Sequence, residues 1–434
     1  MHRPTDAFRL VPCAVLTTRA LVLCAVLIAV PATARASDAP EPLRLSLDAA
    51  VELARRNSPL VKEAEAEVAR ARGARLGVEP LFPQNPTLAF DAGPRDQADE
   101  AGTKFSYQMR LEQPVELFGQ RARRLEAADQ QITLSQARLA LIGAEVAVRL
   151  RRAYVEALIA ARGREFAAQR VAYAERVLEG ARLRVAAGAS SEVEARLPEA
   201  ESGRARAAEL VAQGELEQAR SALRAILDLA ASQALMLTTP LAPPPPPAQD
   251  ADALVAQALA RRRDLLALRQ EGRAIDAELA RLRAERIPPL SLAVNVQQDS
   301  PDQYWVGPGI AIAPPVWRRN QGAIAQAEAE RQRNRVAVDA SQKATERDLR
   351  LAVLTTELRR REFELLDGSV LRTIERSRDL ILDGWTAGKL DIFRVLAIEL
   401  DLVAAQQAFL GAISALWQAQ LEIDRALGVG QELP

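Results

Sequence analysis

The feature that most constrains this chain is that it is written twice. Residues 112–128 read EQPVELFGQRARRLEAA, and IAPPVWRRNQGAIAQAEA at 312–329 carries Pro314 where the first segment carries Pro114. The same offset pairs Gly188 with Gly388, Glu199 with Glu399 and Leu227 with Leu427, without a gap. Upstream, LARRNSPL (53–60) resembles LARRRDLL (259–266) with a slightly different offset. A duplication at this period implies two like structural units rather than one irregular core. Between them lies APPPPPAQ (242–249), whose five consecutive prolines cannot continue a helix and favour extended polyproline geometry. We read it as a stiff strap returning the chain to the start of the second copy.

Each copy has the order helix, two strands, very long helix, glycine break, helix. In the first, Ser46 is a helix cap, Ser58-Pro59 a restart with proline in the first turn, and FPQNP (82–86) a stop. The long helix is expected over 120–187. Leu134, Leu141, Val148 and Val155 recur every seven residues, with Ala137, Ala144 and Leu158 three places after members of that series, which is a coiled-coil seam. Such a helix reaches about 100 Å at about 1.5 Å per residue, more than an ordinary globular domain needs. The second copy repeats it over 321–387. The chain returns through 190–229 and 390–427, and Gly188 and Gly388 mark the turns, because glycine adopts left-handed backbone at little cost. The expected units are 37–241 and 250–430, joined by 242–249.

Between the short and long helices the periodicity changes to alternation. In 104–113, Phe105, Tyr107, Met109 and Leu111 face one way and Ser106, Gln108, Arg110 and Glu112 the other. In 289–298, Leu290, Leu292, Val294 and Val296 alternate with Ser291, Ala293, Asn295 and Gln297. Their partners are 86–93, with Leu88 and Phe90, and 304–313, with Tyr304, Val306, Ile310 and Ile312. Strands of about ten residues with one apolar and one polar face are the pattern of outer-membrane barrels. Four strands cannot enclose a lumen, since barrel width grows with strand number, so several chains must contribute, and three would give twelve strands.

Composition removes other classes. The start of the chain has Arg3 and Arg9, an apolar run from Leu21 to Val30, and an Ala34-x-Ala36 site, which reads as a secretory signal over residues 1–36. Leu23 stands where a small residue precedes a lipidated cysteine, which argues against an anchor at Cys24. Cys13, Cys24 and His2, the whole complement of thiols and imidazoles, fall within that signal. A mature chain without them has no disulfide, no thiolate or imidazole metal site and no histidine-based catalysis. No catalytic residue, cofactor or metal site is therefore expected, and the chain is not read as an enzyme. The mature net charge is −3, without the basic excess that nucleic acid requires. Hydrophobic residues are 49% and aromatics 4% of the chain, which suits close-packed Ala, Leu and Val helices. No apolar run after residue 36 reads as a transmembrane helix, so entry into a membrane would be by strands.

The tandem repeat, the PVELFGQR turn into a long helix and the Ala-Gly tips resemble TolC-type outer membrane efflux proteins. The NPTLAF and VELFGQRARR segments are most similar to the CzcC-like, heavy-metal branch. The resemblance covers nearly all of residues 44–430. It implies a mainly α fold with a β part: long helical hairpins forming a trimeric α-barrel, and four strands per chain in a 12-stranded outer-membrane β-barrel. It further implies a homotrimer in outer-membrane lipid, extending into the periplasm, that docks a periplasmic adaptor and an inner-membrane RND-type pump. The implied docking tips are Ala187, Gly188 and Ala189, and Ala387, Gly388 and Lys389. Family channels narrow at the periplasmic entrance, often with acidic side chains, which by position selects Asp391, then Glu192 and Glu194. A carboxylate ring would concentrate cations there; the plain alternative is that these are ordinary first-turn helix residues. The first copy departs from the family pattern in Ser190, Ser191 and Glu192 after the tip and in Pro198, expected to interrupt the returning helix where the second copy has Ile398.

The function implied is the passive exit duct of a tripartite efflux system for heavy-metal cations. Drugs or other organic compounds are the alternative cargo, since Met109 and Met236 are the mature chain's only sulfur ligands and any choice of metal would rest with the pump. A periplasmic coiled-coil adaptor or structural protein is the remaining alternative, but neither needs two hairpins separated by lipid-patterned strands.

Overall fold

The computed structural model describes residues 42–96, 103–246, 249–300, 303–366 and 370–428. The signal segment 1–36, with Cys24, lies outside them. The first repeat contains β1 (Leu43–Leu45), α1 (Leu47–Asn57), α2 (Pro59–Val78), β2 (Thr87–Asp96), β3 (Thr103–Val115), α3 (Gln120–Ala186), α4 (Glu192–Leu227) and β4 (Leu235–Leu237). The second contains α5 (Ala251–Arg261), α6 (Arg263–Ala284), β5 (Leu290–Ser300), β6 (Gln303–Ile312), α7 (Gln321–Leu365), α8 (Leu371–Thr386) and α9 (Ile392–Leu427). Ser46 caps α1 by accepting from the Ala49 amide, and Pro59 opens α2.

At 67 residues, α3 is about 100 Å long. It changes partners along its length, packing against α2 and α6, then α1 and α9, and against α4 as the return arm of its hairpin. Leu134, Ala144 and Val155 of the heptad series are buried. So are Val146, Leu150, Ala153, Tyr154 and Ala157, which join α1, α4, β1 and β4 in one core. A helix gripped by successive neighbours buries successive faces, so one straight seam is only part of its packing.

The second long helix, expected over 321–387, is described as α7 and α8, and residues 367–369 between them lie outside the described residues. Leu366 and Val370, on either side of those residues, are in wider π-type turns. The sequence at that junction is Asp-Gly-Ser, where the first copy has Ala167-Ala168-Gln169. Pro198, expected to interrupt α4, does not: the helix runs through it. Proline there removes one amide donor in the second turn, and the helix tolerates that single loss.

Four strands form one antiparallel sheet in the order β2-β3-β5-β6. The register stacks Leu88, Leu111 and Val294 on one face, beside Phe90, Met109, Val296 and Val306. Leu88, Phe90, Leu111, Val294, Val306 and Ile310 are all exposed. The other face is polar: Arg110 Nε donates to Asn295 Oδ1 at 2.8 Å. Gly307 and Gly309 make room there, because a Cβ at the first would meet the Trp305 ring at 2.4 Å and at the second Asn295 Nδ2 at 2.7 Å. Strand order β2-β3-β5-β6 is echoed below in helix neighbours α2-α3-α6-α7.

Two features were not anticipated. β1 and β4 pair in parallel, pinned by Tyr154, whose hydroxyl donates to the Leu45 carbonyl at 2.8 Å and lies 3.2 Å from Thr239 Oγ1. The strap that follows is tethered, Trp417 Nε1 donating to the Ala242 carbonyl and Arg360 Nη2 to that of Pro244. Contrary to the expectation of no apolar segment of membrane-crossing length, α9 has the length and a mean hydropathy of 1.4 over its most apolar window. Its buried residues, among them Leu402, Ala405, Ala412 and Leu416, lie on a helix that packs against α7, α8 and α3.

Candidate functional site: the two hairpin tips

Both tips are built by the same backbone device. At the end of α3, Gly188 has φ +69°, its amide donates to the Val185 carbonyl at 2.9 Å, and the Ala189 amide to that of Arg184 at 2.8 Å. At the end of α8, Gly388 has φ +75°, with Gly388 N–H to Trp385 at 2.9 Å and Lys389 N–H to Gly384 at 2.8 Å. These paired bonds form a Schellman closure, which satisfies the last carbonyls and demands left-handed backbone at the glycine. Ala187, Gly188 and Ala189, and Ala387, Gly388 and Lys389, are exposed at the two turns.

The return helices start alike two residues beyond. Ser191 Oγ accepts from the Glu194 amide at 3.4 Å, and Asp391 Oδ1 from the Arg394 amide at 3.0 Å. Asp391 is therefore the helix cap of α9, occupying the repeat position of Ser191. Glu192 and Glu194 lie in the first turn of α4, where the helix dipole favours negative charge, and Glu194 Oε2 accepts from Ser190 Oγ at 2.6 Å. All three carboxylates are exposed. Within one chain the fold brings Glu192 and Glu194 together and leaves Asp391 on the other tip. Among the described residues, no group of three or more His, Cys, Asp or Glu side chains is placed to hold a metal ion.

What the sequence reading missed is how the tips are held to each other. Trp385 is 3% exposed and packs with Tyr173, Val177, Ala181, Ile392 and Val395. Arg184, four residues before the first tip glycine, donates to the Trp385 carbonyl. Gly180 leaves the space the indole fills. The available signal was a tryptophan three residues before the second tip, in a chain holding only four.

The sequence profile described as outer membrane efflux protein matches residues 50–228 and 254–429, one segment in each repeat. The cobalt-zinc-cadmium resistance protein CzcC of Cupriavidus metallidurans is 26% identical over 386 residues, spanning 88% of this chain and 90% of its own. Among solved structures, the outer membrane protein VceC from Vibrio cholerae shares the fold with a TM-score of 0.70 at 17% identity, over 89% of this chain and 97% of its own. CusC, a protein that forms a transmembrane channel, matches with a TM-score of 0.71 at 17% identity, over 88% and 92%.

Proposed function

We propose, for a chain that belongs to the outer membrane efflux protein family, that it is the exit duct of a tripartite system exporting heavy-metal cations. The chain is an outer membrane protein extending into the periplasm. Three copies would join their strand quartets into a 12-stranded barrel standing on a ring of helical hairpins. An adaptor would grip the tips, and an inner-membrane RND-type pump would supply the cargo.

The observation that carries this reading is the sheet. Its apolar face is exposed, and β2 and β6 lie at its two edges, running in opposite directions. Antiparallel alternation thus continues when β6 of one copy meets β2 of the next, and closure removes edges that would otherwise be left unpaired in lipid. The helices stand beneath in the same lateral order, so the same closure builds a tunnel wall. The metal cargo is supported by the likeness to a cobalt-zinc-cadmium resistance protein over nearly its whole length. With no metal-holding cluster among the described residues, the duct would take what the pump delivers.

Two measurements test this. The purified protein should run as a heat-modifiable trimer and conduct ions across a planar lipid film; a monomer that conducts nothing would refute the duct. A deletion strain should become sensitive to zinc, cobalt or cadmium, and sensitivity confined to drugs would overturn the cargo.

A further inference from the structure

Glu199 and Glu399 hold the same place in the two repeats, yet the fold treats them oppositely. Glu199 is 66% exposed and stands 3.9 Å from Arg182. Glu399 is 4% exposed, and its Oε2 has no hydrogen-bond partner. It faces a void of about 10 Å³ lined also by Arg170, Tyr173, Pro198 and Glu201, so that α3 and α4 of the first hairpin meet α9 of the second. Two further atoms on that wall, the Tyr173 hydroxyl and Arg170 Nε, also lack partners. Buried polar atoms are rarely left unpaired, and three on residues lining a void with room for one water point to a single bridging water.

Charges of both signs surround Glu399. On α3, Arg170 pairs with Glu201 of α4, and Arg176 lies 5.7 Å from the centre of the Tyr173 ring. On α8, Arg378 lies 4.9 Å from the same ring centre and 3.4 Å from Asp379. Glu201, which Arg204 also approaches at 3.4 Å, and Asp379 are the partners of Arg170 and Arg378, and among the described residues no ion pair forms to Glu399 itself. Burial accordingly holds its carboxyl above the ordinary range, Arg378 and Arg170 offsetting only part of that effect. The Tyr173 phenol is pushed up for the same reason, with the Glu399 charge adding to it.

We propose that Glu399, with Tyr173 and Arg170 around one void, is a proton-dependent joint that binds α9 of the second hairpin to α3 and α4 of the first. Protonated, the carboxyl has a proton to donate to the Tyr173 hydroxyl oxygen, the one of the other two unpaired atoms that can accept. Ionised, it must draw in water, and the three helices loosen around it. A group held above its ordinary value stabilises the fold fully below about pH 4, and that contribution is lost as the pH rises through the raised value. The joint is therefore tight below the ordinary carboxyl range and loosens as the pH rises through the raised value. In the duct reading, on which this last consequence rests, α9 leads away from the second tip, and loosening it frees that tip to move.

The test is hydrogen exchange by mass spectrometry on the full assembled chain in detergent at about pH 5 and about pH 8, corrected for intrinsic exchange. Peptides covering 392–402 should exchange at least about threefold faster at the higher pH in the wild type. Glu399→Gln should abolish that difference, and the exposed counterpart Glu199→Gln should retain it. Equal pH dependence in wild type and Glu399→Gln, or its loss in Glu199→Gln, would overturn the joint. If Glu399→Gln fails to assemble, Glu399→Met, of similar length, gives the same comparison. Conductance of the same wild-type preparation reports on the duct separately: a protein that keeps the exchange difference but passes no ions sinks the duct and leaves the joint standing.

Discussion

Arg184 Nη1 donates to the Trp385 carbonyl oxygen at 2.6 Å, and its guanidinium carbon stands 5.6 Å from the centre of the same residue's indole ring. One arginine on the first hairpin thus holds both the backbone and the ring of a tryptophan on the second, just before each chain turns. The contact needs Gly180, since a Cβ there would stand 2.9 and 3.1 Å from two indole carbons. The tips are therefore a joined pair.

Truncating the indole should separate them. Trp385→Ala removes a buried side chain, a change that costs about 3–5 kcal/mol in a packed core. Exchange in α8 and the start of α9 should accelerate sharply while the strands stay unchanged. Arg184→Lys keeps the charge but loses the planar fork and the stacking, so its effect should be in the same peptides and smaller. Unaltered exchange in Trp385→Ala would show that the hairpins are joined elsewhere.

The tip glycines should respond to alanine with the opposite sign from a helical glycine. Gly188 and Gly388 sit at positive φ, where a Cβ costs about 1–2 kcal/mol, so Gly388→Ala should lower the melting temperature. Gly411 lies within α9 with nothing within 4 Å of an added Cβ, and Gly411→Ala should gain up to about 1 kcal/mol of helix propensity. Thermal melts of the two variants side by side check this. A shift of the same sign in both would contradict the turn geometry.

The apolar face of the sheet should be intolerant of charge and the other face indifferent to it. Leu111 pairs with Leu88 and Val294 near the middle of the exposed apolar band. Leu111→Arg should cost about 2–4 kcal/mol of stability in lipid, as arginine does on the outer face of a membrane barrel near the bilayer midplane. Gln108→Lys, on the opposite face, should be nearly neutral. The folded fraction in lipid vesicles, read by heat-modifiable migration, distinguishes them, and equal losses would mean that the apolar face does not meet lipid.

Much of this architecture was legible because the signals were periodic. Alternation over 104–113 and 289–298 told which strand residues share a face, and two glycines at one repeat position marked the turns. What escaped was set by contacts distant in sequence. The parallel pairing of Leu43 with Leu235 depends on Tyr154 reaching both segments, and no local pattern encodes that. The symmetry of the repeat concealed the burial of Glu399, because repeat position alone does not say which copy faces the other hairpin. For Asp391 a carboxylate after a tip suits a gate and a helix cap equally, and only the bond to the Arg394 amide shows that the capping role is occupied.

Those two roles separate by substitution. Asparagine caps a helix about as well as aspartate, whereas alanine costs about 1 kcal/mol. Asp391→Asn therefore removes the charge and keeps the cap, and Asp391→Ala removes both. Ser191→Ala removes the equivalent cap of α4 without touching charge. If Asp391 also forms part of a cation-concentrating ring, single-channel recordings of Asp391→Asn should show reduced conductance or altered cation selectivity with an unchanged melting temperature. Ser191→Ala should show a lower melting temperature with unchanged selectivity. Identical conductance and selectivity in wild type and Asp391→Asn would leave Asp391 as a cap alone and move the search for a constriction to Glu192 and Glu194 on the first tip.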